Sequence, residues 1–225
     1  MVKKNRTGPT SERYIEATLE LVAERGGSAQ VNLREISRRI GCAHTNVYNY
    51  FESREDLLWH AIRRVILQYG DALTHGLDAS RSRRTNFLQF MRNMVEWPIQ
   101  NPGLHRLISS DPLNPEQIPQ DIIDTVTIMK EWIAQVLKAL SSDRINGQNL
   151  VDLVDIMLGY LDGEIFNLIN GRVLPGEDIA GRVINNLERL YTLLTAKKHD
   201  GIVLSEQVPK AGALKLPELK LDLYE

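Results

Sequence analysis

Apolar residues recur at helical spacing along almost the whole chain, and no stretch before residue 200 alternates as a strand would. The pattern predicts helices near 11–25, 33–40, 44–51, 54–76, 82–97, 102–110, 118–141, 147–170 and 177–197. Breaks are expected at the Gly26-Gly27 pair, at Gly41, in the 80–84 cluster, at Pro98 and at Pro102. Further breaks fall in the 111–119 run with its three prolines, at 141–147 and at 171–176. The fold class expected is all-α, with a small N-terminal three-helix head over 1–53, a larger C-terminal helical domain over 54–198 and an extended arm over 199–225. The arm is set apart by Pro209, Pro217 and the alternation of Leu219, Leu221 and Leu223; an extended strand-like arm and a disordered tail are both open.

The stretch 31–59 carries the most information. Asn32 suits an N-cap, with Glu35 at the third helical position to complete a capping box. Leu33, Ile36 and Ile40 then form one stripe of a helical wheel and leave Arg34, Arg38 and Arg39 to other faces. Gly41 ends that helix, because glycine accepts the left-handed backbone of a C-cap. In the next segment Val47, Tyr50 and Phe51 are apolar among His44, Thr45, Asn46, Tyr48 and Asn49. A few positions can dock the segment on a core while the rest face a groove, the arrangement of a DNA-reading helix-turn-helix.

The string NLREISRRIGCAHTNVYNYFESREDLL resembles the DNA-binding signature of the tetracycline-repressor (TetR) family. It has an aliphatic-rich first helix, a glycine turn, an aromatic pair in Tyr-x-Tyr-Phe, and a basic residue followed by an acidic one and leucines. The preceding RYIEATLELVAERGG resembles that family's first helix, so the likeness covers roughly residues 10–65. Cys42 and Ser37 depart from the usual aliphatic residue and alanine, but both are small and packable. The resemblance implies sugar-phosphate contacts from Tyr48 and Arg54. It also implies a homodimer built on a four-helix bundle of the last two helices and their copies, and an effector cavity among the central helices.

Side-chain chemistry fills in the rest of the interface. His44, Thr45, Asn46 and Asn49 carry donors and acceptors that match base edges in a major groove; Arg34 suits a guanine or a phosphate, and Asn32 a phosphate near the helix N-terminus. Tyr50 and Phe51 are expected in the core.

The larger domain is expected to be the regulatory one. The segment 147–170 is apolar on more than one face and so needs partners on two sides. Leu158, Gly159 and Gly163, with Val183, Leu187, Leu190 and Tyr191 of the last helix, are the expected dimer interface; completion of the monomer's own core is the alternative. Phe90, Met94, Trp97, His105, Met129, Trp132, Ile133, Tyr160 and Phe166 are the candidate walls of a mostly apolar effector pocket, and ordinary core is the alternative for each. Asp152, Asp155, Asp162 and Glu164 interrupt an apolar helix, where one or two can serve a cationic or hydroxyl-bearing ligand; a place on the surface or at a helix end is the alternative. The strut after Ser53 is expected to link head and body.

Charge sharpens the division. Residues 1–68 hold 11 Lys and Arg against 8 Asp and Glu, whereas 69–225 hold 16 against 21, so the basic excess sits with the motif. Lys3, Lys4 and Arg6 form either an arm that reaches DNA or a solvated start. One cysteine, no N-terminal apolar run and no long uncharged apolar stretch lead to the expectation of a cytoplasmic protein without disulfide framework, signal peptide or membrane span. The five histidines are scattered with neither HxxxH nor CxxC, and GxSxG, P-loop and strand-linked GxGxxG patterns are missing, so no metal, cofactor or enzymatic activity is expected. The function implied is a ligand-released repressor acting as a homodimer on palindromic double-stranded DNA, with a small, mostly apolar effector. The alternatives are an activator, or a helix-turn-helix protein without an effector.

Overall fold

A computed structural model describes residues 8–141 and 150–196. The expected arms at 1–7 and 199–225 and the start of the helix expected from 147 lie outside the described residues. The described residues up to Thr195 belong to one compact unit. Its helices are α1 (Pro9–Arg25), α2 (Leu33–Arg39), a six-residue 3-10 reading helix (His44–Asn49), α3 (Arg54–Leu73), α4 (Arg83–Gln100), α5 (Pro102–Ser109), α6 (Gln120–Leu140), α7 (Leu150–Ile169) and α8 (Ile179–Thr195). A short 3-10 turn, Pro115–Gln117, precedes α6. Strands are absent among the described residues, and the fold is all-α with an N-terminal helix-turn-helix head.

Local chemistry sets the head's boundaries. The Asn32 side chain accepts from the Glu35 amide at 3.0 Å, and the Ser53 hydroxyl accepts from the Asp56 amide at 3.0 Å, so α2 and α3 both begin on capped ends. Gly41, at φ 72°, turns the chain out of α2 in a backbone region that side-chain-bearing residues avoid. Tyr14, Leu21, Ile36, Val47, Phe51 and Leu58 are all buried and share one small core.

A second core fills the body, where α4, α6, α7 and α8 bury Phe90, Met91, Met94, Leu137, Val154 and Leu187. Here Pro98, expected to end a helix, lies inside α4. Proline has no N–H to give to the carbonyl four residues back, which is that of Met94. The Tyr69 hydroxyl donates to that carbonyl at 3.2 Å, and the helix continues to Gln100. Two further departures concern α3, which stops at Leu73 instead of residue 76, and the reading helix, which is 3-10 and ends at Asn49.

Head and body meet along α1 and α5. A Cβ at Gly103 would come within 2.5 Å of the Val22 carbonyl oxygen and 3.1 Å of Gly26 Cα, so only glycine allows α5 so near the backbone of α1. The Ser28 amide, just after α1, donates to an Asp111 carboxylate oxygen at 2.6 Å, just after α5. The expected strut, α3, supplies buried residues to both cores: Leu57 and Leu58 to the head's, Tyr69 and Leu73 to the body's.

Candidate nucleic-acid interface and effector cavity

The reading helix is held from beneath by buried Val47 and, just beyond it, buried Phe51. Outward stand Thr45, Asn49 and Tyr48, the last 44% exposed, with His44 and Asn46 half-buried. His44 and Tyr48 meet edge to face with ring centroids 5.8 Å apart. Asn49 donates to Asn46 Oδ1 at 3.0 Å, and Asn46 donates to the Tyr14 hydroxyl at 3.4 Å. Burial raises the pKa of that hydroxyl, so it stays protonated. Asn46 is thereby tied to the core of the head and Asn49 to Asn46, while His44 rests on Tyr48.

Arg34 and Arg38 are exposed and have no ion-pair partner among the described residues. Arg39 is taken up by Glu24 at 2.7 Å and Glu20 at 3.2 Å, and Arg25 by Glu35 at 2.6 Å. Asn32 is exposed but its side-chain oxygen caps α2.

Arg54 requires a correction. Expected at a phosphate, its guanidinium instead turns inward and donates to the Val31 carbonyl at 2.7 Å and to the Ser28 carbonyl. It clamps the loop between α1 and α2, whose carbonyls have no helical partners.

The body contains a partly open cavity of about 790 Å³ bounded by α3, α5, α6 and α7. Its wall is mostly apolar, with Trp59, Ile62, Ile66, Leu107, Ile122 and Leu161 among its residues. Of the nine expected pocket residues, His105, Met129 and Ile133 line it. The other six do not, for identifiable reasons. Phe90 and Met94 are fully buried in the second core, and Trp97 packs on Tyr69 with centroids 5.0 Å apart. Trp132 leans toward Phe90, the Tyr160 hydroxyl accepts from Asn186 at 2.8 Å, and Phe166, a turn beyond Asp162 on α7, is 42% exposed. Helix α3 was the wall that sequence patterning missed: its apolar positions fit a strut equally well, and only packing shows that Trp59, Ile62, Ile66 and Tyr69 also face an open volume.

The expected dimer residues also divide. Val183, Leu187 and Tyr191 are buried within the monomer, so this part of the expected interface is corrected to core; α8 turns its apolar stripe inward against α4 and α7. Leu158 and Leu190 are half-buried, and Leu158 and Gly159 border the cavity. Gly159 and Gly163 are exposed, and a Cβ at either would meet nothing within 4 Å. Of the acidic residues on α7, Glu164 pairs with Arg182 at 2.7 Å, Asp155 with Lys130 at 2.7 Å, and Asp162 faces the cavity.

Among the described residues no cluster of three or more His, Cys, Asp or Glu is placed to hold a metal ion, and no helix is long and apolar enough to cross a membrane. A helix-turn-helix head joined to a helical body with an internal apolar cavity defines the class of one-chain DNA-binding regulators.

The comparisons agree with that class. Residues 15–61, which run from within α1 through the reading helix into α3, match the family model of bacterial regulatory proteins, tetR family. Solved structures extend the likeness of fold over the body. A tetR-family transcriptional regulator from Streptomyces coelicolor is similar at 16% identity, over 84% of this chain and 83% of that one, with a TM-score of 0.63. The fatty acid degradation regulator FadR from Bacillus halodurans is similar at 15% identity, over 86% and 98%, with a TM-score of 0.60. A TetR transcriptional regulator from Rhodococcus sp. RHA1 is similar at 18% identity, over 84% and 96%, with a TM-score of 0.58. No curated protein matches by sequence.

Proposed function

We propose that this protein is a ligand-released transcriptional repressor that binds palindromic double-stranded DNA as a homodimer, with residues 1–53 reading DNA and 54–198 sensing and dimerising. The observation that carries the DNA-reading role is the polar row on the reading helix, in which Tyr14 anchors Asn46 and, through it, Asn49. His44, Thr45, Asn46 and Asn49 present base-reading groups, with Tyr48 and Arg34 exposed beside them for the backbone or a guanine. Asn32 contributes through the capped N-terminus of α2.

Dimerisation is assigned to the outer face of α7 and the end of α8. Ile156 and Phe166 are 48% and 42% exposed, Gly159 and Gly163 lie between them along α7, and Leu193 is 73% exposed. A row of apolar and glycine positions lets a second helix approach closely, as in a four-helix bundle.

Release is assigned to the cavity. It borders α5, which bears on α1 at Gly103, and it includes Asp111, whose carboxylate holds the Ser28 amide of the head. An effector that binds better to the arrangement with displaced heads shifts the dimer off its operator. The path runs through α5 and Asp111 as well as through the α3 strut.

Selection of bound duplexes from a random pool tests the proposal. The wild-type protein should enrich an approximate palindrome, and His44→Ala should bind a broadened set of sequences with little loss of stability. A protein that sediments as a single subunit and ignores duplex DNA at low ionic strength would overturn it.

A further inference from the structure

Most polar groups on the cavity wall already have partners. Lys130 Nζ lies 2.7 Å from Asp155 Oδ1, and the Asp111 carboxylate accepts the Ser28 amide at 2.6 Å. The hydroxyls of Tyr69, Ser109 and Thr127 donate to the carbonyls of Met94, His105 and Ile123 at 3.2, 2.9 and 2.9 Å. Trp59 Nε1, on the α3 wall, is a donor without a hydrogen-bond partner. Two further groups stand side by side on the α5 and α7 walls. His105 is 5% exposed, and its Nε2 has no hydrogen-bond partner. Asp162 has no Lys or Arg partner among the described residues; its Oδ1 lies 3.4 Å from that Nε2 without making a hydrogen bond.

A buried polar atom without a partner is costly, and a wall that sets the buried His105 Nε2 beside the half-exposed Asp162 carboxylate is shaped for a ligand that supplies the missing groups. The sign of the missing group follows from the charges. Burial pulls His105 down to about 4, so near neutral pH the imidazole carries no charge. Burial pushes Asp162 up to about 6, so at pH 7.5 it is an anion beside a neutral ring. A ligand carboxylate placed there would meet a like charge. An alcohol has one hydrogen to donate to two acceptors. A protonated amine has up to three hydrogens and a positive charge, enough to serve Asp162 as ion pair and His105 Nε2 as acceptor in the tautomer protonated at Nδ1.

We propose that the cavity takes an amphiphile with a protonated amine at one end, seated between Asp162 and His105, and an apolar body along Ile62, Ile66 and Ile122. A volume of about 790 Å³ suits a drug-sized molecule. The assignment rests on the cavity being the effector site.

Calorimetric titration of the full-length protein at pH 7.5 with decylamine, decanol and decanoate, each below its micellar concentration, tests it. Decylamine should bind about tenfold or more tightly than either of the others, the margin of one charge-assisted hydrogen bond. Asp162→Asn, close in shape to the native residue, should abolish the margin between amine and alcohol. Decanoate binding as tightly as decylamine would overturn the amine assignment alone, as would a margin that survives Asp162→Asn. Failure of all three to bind would overturn the cavity as the effector site, and this proposal with it. The wild-type ranking decides the matter without the variant should Asp162→Asn not fold.

Discussion

The head and the body handle polar groups in opposite ways. In the head, charged side chains pair on the outside, as Arg39 does with Glu24 and Glu20, and the polar groups proposed to read bases stand exposed or half-exposed over a small core. In the body, a half-exposed carboxylate and a buried imidazole face a partly open cavity without full partners. A surface that recognises DNA must offer its polar groups to a large, hydrated, charged partner. A cavity that recognises a small molecule leaves a few unmet polar groups in apolar surroundings, where each one discriminates strongly between ligands. The two regions are joined where the body can push on the head, at Gly103 and at the Asp111 to Ser28 hydrogen bond.

The contrast can be broken first at the second core. Phe90 is fully buried and lies outside the cavity wall, so Phe90→Ala should cost about 4 kcal/mol of unfolding free energy, measured by urea denaturation. A much smaller cost would mean that the side chain borders open space and belongs to the pocket after all. Gly103→Ala tests the seam, because the new methyl group meets backbone on α1. It should cost about 2 kcal/mol and weaken operator binding, with both losses seen in the same preparation by denaturation and by fluorescence anisotropy.

Asp111→Asn is gentler. Its amide oxygen can still accept from Ser28, but the charge is lost, so a destabilisation of about 1 kcal/mol is expected. Its informative effect is on release: the effector concentration needed to free DNA should change while the operator sequence selected stays the same. If release is unaltered, Asp111 plays no part in the path.

The smallest effect concerns pH. The folded-state pKa of Asp162 is raised to about 6, so as pH climbs from about 4 through 6 the unfolded chain loses this proton first, and stability falls. Tyr69 from α3 and His105 from α5 face this carboxylate, and burial, with a smaller push from the charge on Asp162, keeps Tyr69 protonated throughout. Asp162→Asn should therefore show a melting-temperature advantage over wild type that is absent at pH 4, grows up to pH 6 and stays level above it. An advantage that shrinks with rising pH would contradict burial as the cause of the shift.

The head was the more legible region, because most of its devices are local. The Asn32 and Ser53 caps reach three residues ahead, Gly41 turns its own backbone, and the stripe of Leu33 and Ile36 repeats within one turn. Arg54 escaped because its acceptors, the Val31 and Ser28 carbonyls, lie 23 and 26 residues away. In the body the apolar pattern was clear, but a hydrophobic side chain looks the same in sequence whether it fills a core or walls a cavity. Phe90 and Ile133 illustrate that ambiguity, and α8's stripe of Val183, Leu187 and Tyr191 fits an inner surface as well as a dimer.

The sequence by itself determined the succession of helices, the caps and glycine turns between them, and the polar row of the reading helix, since each depends on residues within about one helical turn. Tertiary structure alone decided that Pro98 stays inside α4, its lost hydrogen bond replaced by Tyr69 from 25 residues away. It also decided that Ser28 and Asp111, 83 residues apart, share a hydrogen bond, and that His105 and Asp162 meet across an apolar cavity. Such partners are chosen by how whole helices pack, and packing depends on every contact surface at once.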